Sequence, residues 1–345
     1  SGIVTNTFIV GAGVTISESG IEASGIGITC ANINGGAIGG RKNLIINGAM
    51  QVHQRNVSVT ASGTYGIDRW WLAHSGTATL ARSTIVPSGE GFDYSLKVSN
   101  ISGGDASIGQ PIELISAGKQ GSLVSGKKIT FSFYGKCDSG TDGITVICNF
   151  RQGKYDSTNQ VGFTNSGAGV TLTTTWTRHV VTMTIPTCHS GSTMAAFELN
   201  GISGTSRFTG FQMEIGDQAT PFEHLSYTEE IRLCYRYYYK LYAGTSGFWG
   251  SGVWYNSTSF ICFIAFPVVM RTNVTAVEQS GTASHYKVIG NATTYTCNGV
   301  PTYGGDANDS AQTVGFPFSS GATQGQAGIA RAGSSSAYLA WSAEL

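Results

Sequence analysis

Cleaving a glycosidic bond takes two carboxylates held about 5–10 Å apart, one of them with a raised pKa, and the acidic residues of this sequence do not spell out such a pair. Asp68 stands beside Arg69, which reads as an ion pair at a loop. Asp93 and Glu113 fall in different strands or loops, and Glu198 and Glu214 sit in strand patterns as ordinary outward carboxylates. Glu229 and Glu230 open a helix, where negative charge is favoured by the dipole. The histidines are His53, His74, His179, His189, His224 and His285, and no serine lies in a G-x-S-x-G elbow beside which one of them could act. Gly11-x-Gly13 lacks the strand–helix setting of a dinucleotide loop. Asp306, Asn308 and Asp309 crowd three oxygen ligands into one stretch, a spacing that could hold a structural Ca²⁺. The later Glu of such a loop is missing, so a polar turn is the simpler reading. No catalytic residue is assigned and no cofactor is expected.

Aromatic residues carry a clearer signal. A sugar ring offers an apolar C–H face to an aromatic plane, while its hydroxyls need nearby Asn, Gln, Asp or Arg. Trp70 and Trp71 are adjacent, so on a strand they point to opposite faces, one into a core and the other exposed or at an interface. Near the C-terminus Trp249, Trp254 and Tyr255 sit among Gly and Ser, and Tyr303 opens a Gly/Ser/Asn/Asp-rich stretch over 304–326 that reads as a long exposed loop. Long loops in compact domains tend to bind or to be disordered. The expected carbohydrate-binding set is therefore Trp249, Trp254, Tyr255 and Tyr303 with Asp306, Asn308 and Gln324. Trp71 and Tyr155 are the next place to look. Taken singly, each Trp is more simply read as core, since Trp is highly buried on average; it is as a group that the C-terminal aromatics are the candidates.

Composition bounds the elements that must hold these side chains. Of 345 residues only 12% are charged, about half the usual share, and 48 are Gly. Twenty basic and twenty acidic residues cancel and no basic run exists, which leaves nucleic-acid binding through phosphate charge without support. No apolar run approaches the roughly 18–20 residues that span a bilayer, so membrane insertion is not expected. The seven cysteines have no zinc spacing and no N-terminal secretion signal accompanies them, which suits reduced thiols and assembly in a cytoplasm. Cys137 and Cys148 flank a plausible hairpin and could face each other.

Gly alternates with β-branched residues through 1–42, in short segments that cannot bury themselves alone. They are too apolar for an ordinary disordered linker, so an intertwined β stalk shared by three chains is expected. Over 43–223, runs at 94–99, 107–114, 128–136, 144–151, 176–185, 194–199 and 208–215 alternate apolar with polar residues and read as one antiparallel β sandwich. Residues 224–243 form a linking helix. Ser226 with Glu229 is a capping box, and Ile231, Cys234, Tyr235, Tyr238 and Tyr242 recur at helical spacing out to 242. A smaller β domain over 244–345 has strands at 248–255, 259–266, 274–279, 286–289, 293–297 and 338–342. The chain is all-β with one helix.

The stretch PFEHLSYTEEIRLCYRYYYKLY at 221–242 also resembles a linker in bacteriophage tail-fibre and receptor-binding proteins, where a Pro-Phe-Glu-His turn and a Tyr-x-Glu-Glu helix join two β domains. NLIINGAMQVHQR at 43–55 resembles the opening of the first β domain of such fibres, PVVMR at 267–271 is a further matching phrase, and Ala343-Glu344-Leu345 resembles their ends. The Gly-Val-Thr-Ile-Ser and Ser-Gly-Ile phrases of 1–42 are similar to marine phage shafts, and the strand order of 43–223 is similar to jelly-roll carbohydrate-binding modules. The resemblance implies a homotrimeric virion tail fibre that contacts other tail proteins and adsorbs to a host-surface glycan without cleaving it. A glycan depolymerase with a carboxylate pair formed between chains, and a purely structural collar or decoration protein, are the competing readings.

Overall fold

The computed structural model describes residues 14–17, 20–23, 41–113, 126–138, 143–156, 159–185, 194–242, 244–320 and 323–344; the side chains of 14–17, 20–23, 113, 151–167 and 194–195 lie outside that description. β1 (Val14–Ser17) and β2 (Gly20–Ala23) pair antiparallel. The rest of the expected stalk, with its winding into a trimer, lies outside the described residues.

The next eleven strands are β3 (Thr64–Ile67), β4 (Trp70–His74), β5 (Thr77–Ser83), β6 (Ser95–Ser102), β7 (Ala106–Glu113), β8 (Lys128–Cys137), β9 (Thr145–Asp156), β10 (Asn159–Thr171), β11 (Thr177–Thr184), β12 (Met194–Ile202) and β13 (Ser206–Ile215). They form a six-stranded sheet, β10-β9-β12-β7-β4-β3, and a five-stranded sheet, β11-β8-β13-β6-β5. Alternation puts Trp70, Phe131, Phe133, Phe197 and Phe211 into one shared core. Trp70 lies 4.3 Å from Phe211 and meets Phe197 edge-on at 6.2 Å between ring centroids. β8 and β9, expected to flank a hairpin, belong to opposite sheets, so Cys137 and Cys148 are not hairpin neighbours. β3, β5 and the long β10 were not legible as strands, and β4 was signalled only by the Trp70–Trp71 pair. β10 reads NQVGFTNSGAGVT, poor in strand formers, and is extended because it pairs along β9.

The middle of one face of this sandwich is covered. Every residue of β13 except Ile215 is buried, because the segment after it folds back over the outer side of the five-stranded sheet. Gln212 accepts from the Glu223 amide at 2.8 Å, and the Thr220 hydroxyl donates to Glu214 at 2.6 Å. Phe92 packs against Tyr134 and Phe222 with centroids 5.5 and 5.1 Å away. The 43–50 segment ties into the same strand: Leu44 N donates to Met213 O, and Phe211 N donates to Gly48 O. Only Gly fits at 48, since a Cβ there would lie 2.2 Å from the Phe211 carbonyl oxygen.

α1 (Tyr227–Tyr235) starts at Ser226, and both halves of the capping box are made. The helix is shorter than its periodicity suggests. Tyr238–Tyr242 is instead a strand, β14, paired antiparallel with the C-terminal strand so that Tyr238 opposes Ser342. Tyr favours strands, and the partner strand supplies backbone bonds that a free helix end lacks.

Beyond it lie β15 (Phe248–Asn256), β16 (Ser259–Ala265), β17 (Glu278–Gln279), β18 (Tyr286–Gly290), β19 (Thr293–Thr296), β20 (Thr302–Ala307), β21 (Ala311–Pro317), β22 (Ala327–Ala332) and β23 (Tyr338–Ser342). They form a seven-stranded sheet, β19-β18-β22-β15-β16-β21-β20, and a three-stranded sheet, β14-β23-β17. The stretch expected as a long loop at 304–326 holds most of β20, all of β21 and a turn. Gln312, Val314 and Phe316 point into the core in alternation, a pattern hidden by the surrounding Gly, Ser and Asn. The strand expected over 274–279 shrinks to Glu278–Gln279.

Candidate functional site

The middle of the five-stranded sheet is covered, while Val180, Thr182 and Thr184 of its edge strand β11 stay exposed; the outer face of the six-stranded sheet carries the outward tryptophan of the pair read in the sequence. Its register aligns Tyr65, Trp71, Gly109, Glu198, Asn149 and Gly167 across β3, β4, β7, β12, β9 and β10. Five inter-strand steps span roughly 24 Å. Trp70 is buried in the core, so its neighbour Trp71 faces out, half-buried. Trp71 lies low on the sheet because Gly109 has no side chain: a Cβ there would come 2.7 Å from the indole ring. The indole is therefore an aromatic plate on the sheet surface. Asn149 and Asn200 are half-buried on the same face, and the Asn200 carbonyl oxygen is buried with no hydrogen-bond partner. Among the described side chains of these six strands, Glu198 is the one carboxylate. The side chain of Tyr155 lies outside the described residues. Of this row only Trp71 and Glu198 stood out in the sequence; Tyr65, Gly109 and Asn149 join it through register, which residue order does not state.

The end of this face meets a polar joint made by the segments that looked like tail-fibre phrases. Pairing of β4 with β7 stops at Trp71–Gly109, and Arg69 turns away with φ +71°. The Arg69 guanidinium donates to the Pro111 carbonyl and to Glu344, and stacks on Tyr237 with its carbon 3.5 Å from the ring centroid. Arg69 is 1% exposed. Burial pulls its pKa down, but Glu344, Tyr237 and Tyr65 together outweigh that and keep it above the usual value. The expected Asp68–Arg69 ion pair is replaced by this one. Asp68 instead accepts from Gln54 N and Nε2, both at 2.6 Å, and burial raises its pKa. Glu230 accepts from Asn47 N at 2.5 Å, and burial raises it too. Arg271 donates to the carbonyls of Ala343 and Glu344 at 2.6 and 3.1 Å. Beside the notch, Arg41, Arg69, Arg232 and Arg236 line a cavity of about 290 Å³.

The C-terminal aromatics do not converge. Trp254 is 0% and Trp249 6% exposed, both in the second hydrophobic cluster. Neither can stack on a sugar, because the residues beside them on β15 face out and they face in. Tyr255 is exposed, with Gln324 in the adjoining turn. Tyr303 is exposed on edge strand β20, opposite Val314 and three strands from β15, and its hydroxyl donates to Gly305 O. Asp306 and Asn308 are exposed nearby. Asn308 Oδ1 accepts from the amides of Ser310 and Ala311, each at 2.8 Å, so it closes a polar turn. Among the described residues no three His, Cys, Asp or Glu side chains cluster as a metal site.

No family model matches the sequence, and no curated protein is similar to it. Among solved structures, the chain is similar to the enzymatically active domain of tailspike protein 4 of bacteriophage CBA120, with 19% identity and a TM-score of 0.35 over 50% of this chain and 21% of that one. It is also similar to the family 11 carbohydrate-binding module of Clostridium thermocellum, with 11% identity and a TM-score of 0.30 over 47% and 98%. A third is the CBM22-1 xylan-binding domain of Paenibacillus barcinonensis Xyn10C, with 13% identity and a TM-score of 0.29 over 52% and 100%. Likeness this distant leaves function to be argued from the residues themselves.

Proposed function

We propose that this chain binds a surface glycan, as a receptor-binding component of a virion tail, and that the outer face of the six-stranded sheet is its contact. The observation that carries the reading is the Trp71 indole laid over Gly109, in a row that also holds Tyr65, Asn149 and the single carboxylate Glu198. Such a plate takes the apolar face of a sugar, while the half-buried Asn149 amide supplies a hydrogen-bonding group for hydroxyls. Cleavage needs a second carboxylate opposite the first, and Glu198 has none among the described side chains of that sheet; the reading is of binding without turnover. The tail assignment rests on the phrases at 43–55, 221–242, 267–271 and 343–345. Their residues meet in one joint, as the Asn43–Glu223, Asn47–Glu230 and Arg271–Glu344 hydrogen bonds illustrate. Val253, Phe263 and Ile329 are exposed on one face of the seven-stranded sheet, which supports assembly with further copies, a trimer by the resemblance.

A glycan array with the intact protein, followed by a reducing-end assay on each positive glycan, tests this. Binding without new reducing ends is expected. New reducing ends would put the depolymerase first, and no binding to any host glycan would favour a structural collar.

A further inference from the structure

We infer that the arginine-lined cavity at the joint holds the anionic group of an acidic sugar, so that the glycan recognised is charged. This rests on the glycan reading above and adds the chemical class. The cavity lies in the notch beside Gln110, Pro111 and Ile112, where β4 stops pairing with β7. Its wall carries four arginines and no acidic residue. Glu344 offsets Arg69 through their ion pair, and Glu230, held by Asn47, lies near Arg41 and offsets part of its charge. Arg236 donates to the carbonyls of Val269 and Met270 from one side. Arg232, exposed on α1, adds a charge at the rim.

Two buried donors are unmet within the chain. The Nε–H groups of Arg69 and Arg41 have no hydrogen-bond partner. Both atoms lack accessible surface, so the pull on an oxyanion in the cavity rests on the four guanidinium charges of its wall. Leu44, Ile46 and Val268 give the same space apolar walls, and a volume near 290 Å³ suits a group the size of one sugar ring better than a bare ion. The site also lies near the Trp71 plate. Pro111, which lines the cavity, follows Gly109 by two on β7, about 7 Å along the strand. One oligosaccharide can therefore lie on Trp71 and place a neighbouring acidic residue among the arginines.

The test uses the full chain and calorimetric titration with oligogalacturonate and with the neutral galactose oligomer of equal length. Galactose 6-phosphate and galacturonate serve as monomeric competitors. The acidic oligomer should bind at least about tenfold more tightly at low salt, with the margin shrinking at high salt as charge is screened. Arg41→Gln/Arg232→Gln should erase that margin while leaving neutral-oligomer affinity unchanged, with at most a small fall in Tm from the lost Arg41–Ile45 carbonyl hydrogen bond. Competition by galacturonate alone would assign a carboxylate, and competition by both monomers an oxyanion in general; either supports the site. Equal binding of acidic and neutral oligomers, or a margin that survives the double substitution, overturns the inference and leaves glycan binding standing. Loss of the margin together with a large fall in Tm calls for Arg232→Gln alone, whose residue is exposed on the helix; an unchanged margin there overturns the site as well. Binding of neither oligomer, with no hit on a host glycan array, removes the glycan reading itself.

Discussion

Replacing Trp71 and Trp254 separately by Ala discriminates a ligand plate from a core residue of the same type. Trp71 is half-buried, stands outside the hydrophobic cluster beneath it, and touches Gly109 on the sheet surface. Its truncation should cost stability only about 1 kcal/mol or less. Losing one stacked sugar should cost about 0.5–1.5 kcal/mol of binding, which is a weakening of roughly 2- to 12-fold. Trp254 has ring neighbours Phe260, Tyr295 and Phe318 at 5.6, 5.0 and 4.7 Å and no exposed surface. Emptying that site should cost about 3–5 kcal/mol, with glycan affinity unchanged in the fraction that stays folded. Calorimetric titration with a short oligosaccharide, which avoids avidity, measures the first effect, and urea unfolding measures both stabilities. A Trp71→Ala protein that is folded and binds like the parent refutes the plate. A Trp254→Ala protein that keeps its full stability but loses binding refutes the assignment of the two roles.

Glu344→Gln should destabilise by about 3–5 kcal/mol, because Arg69 is left buried beside a neutral group; urea unfolding reads this, and adding Arg69→Met should recover much of the loss. Burial raises Glu230 above its ordinary 4.5, so the folded chain holds that proton more tightly than the unfolded one. Relative to Glu230→Gln, the parent should therefore lose stability as pH rises from about 4.5 through the raised folded value. Tm measured for both proteins across that range checks the sign, and a parent that gains on the variant as pH rises would contradict it.

Alternation of apolar and polar residues was enough to read the chain as all-β, and the two adjacent tryptophans were enough to read one in and one out, since both patterns follow from strand geometry alone. The capping box at Ser226 was equally local, because its hydrogen bonds reach only three residues. Tyr238–Tyr242 shows where locality ends. Its spacing fits a helix, but the decision belongs to a strand about a hundred residues later that offers it a full ladder. The same holds for β10 and β21, which lack strong strand formers or sit among turn residues and are extended by their partners. The site was decided later still. That Trp71 lies beside a glycine, that Trp254 faces inward, and that Arg69 pairs with Glu344 and not Asp68 all depend on register and on contacts between distant segments. Those are properties of sheets closing on one another, which no stretch of residues carries by itself.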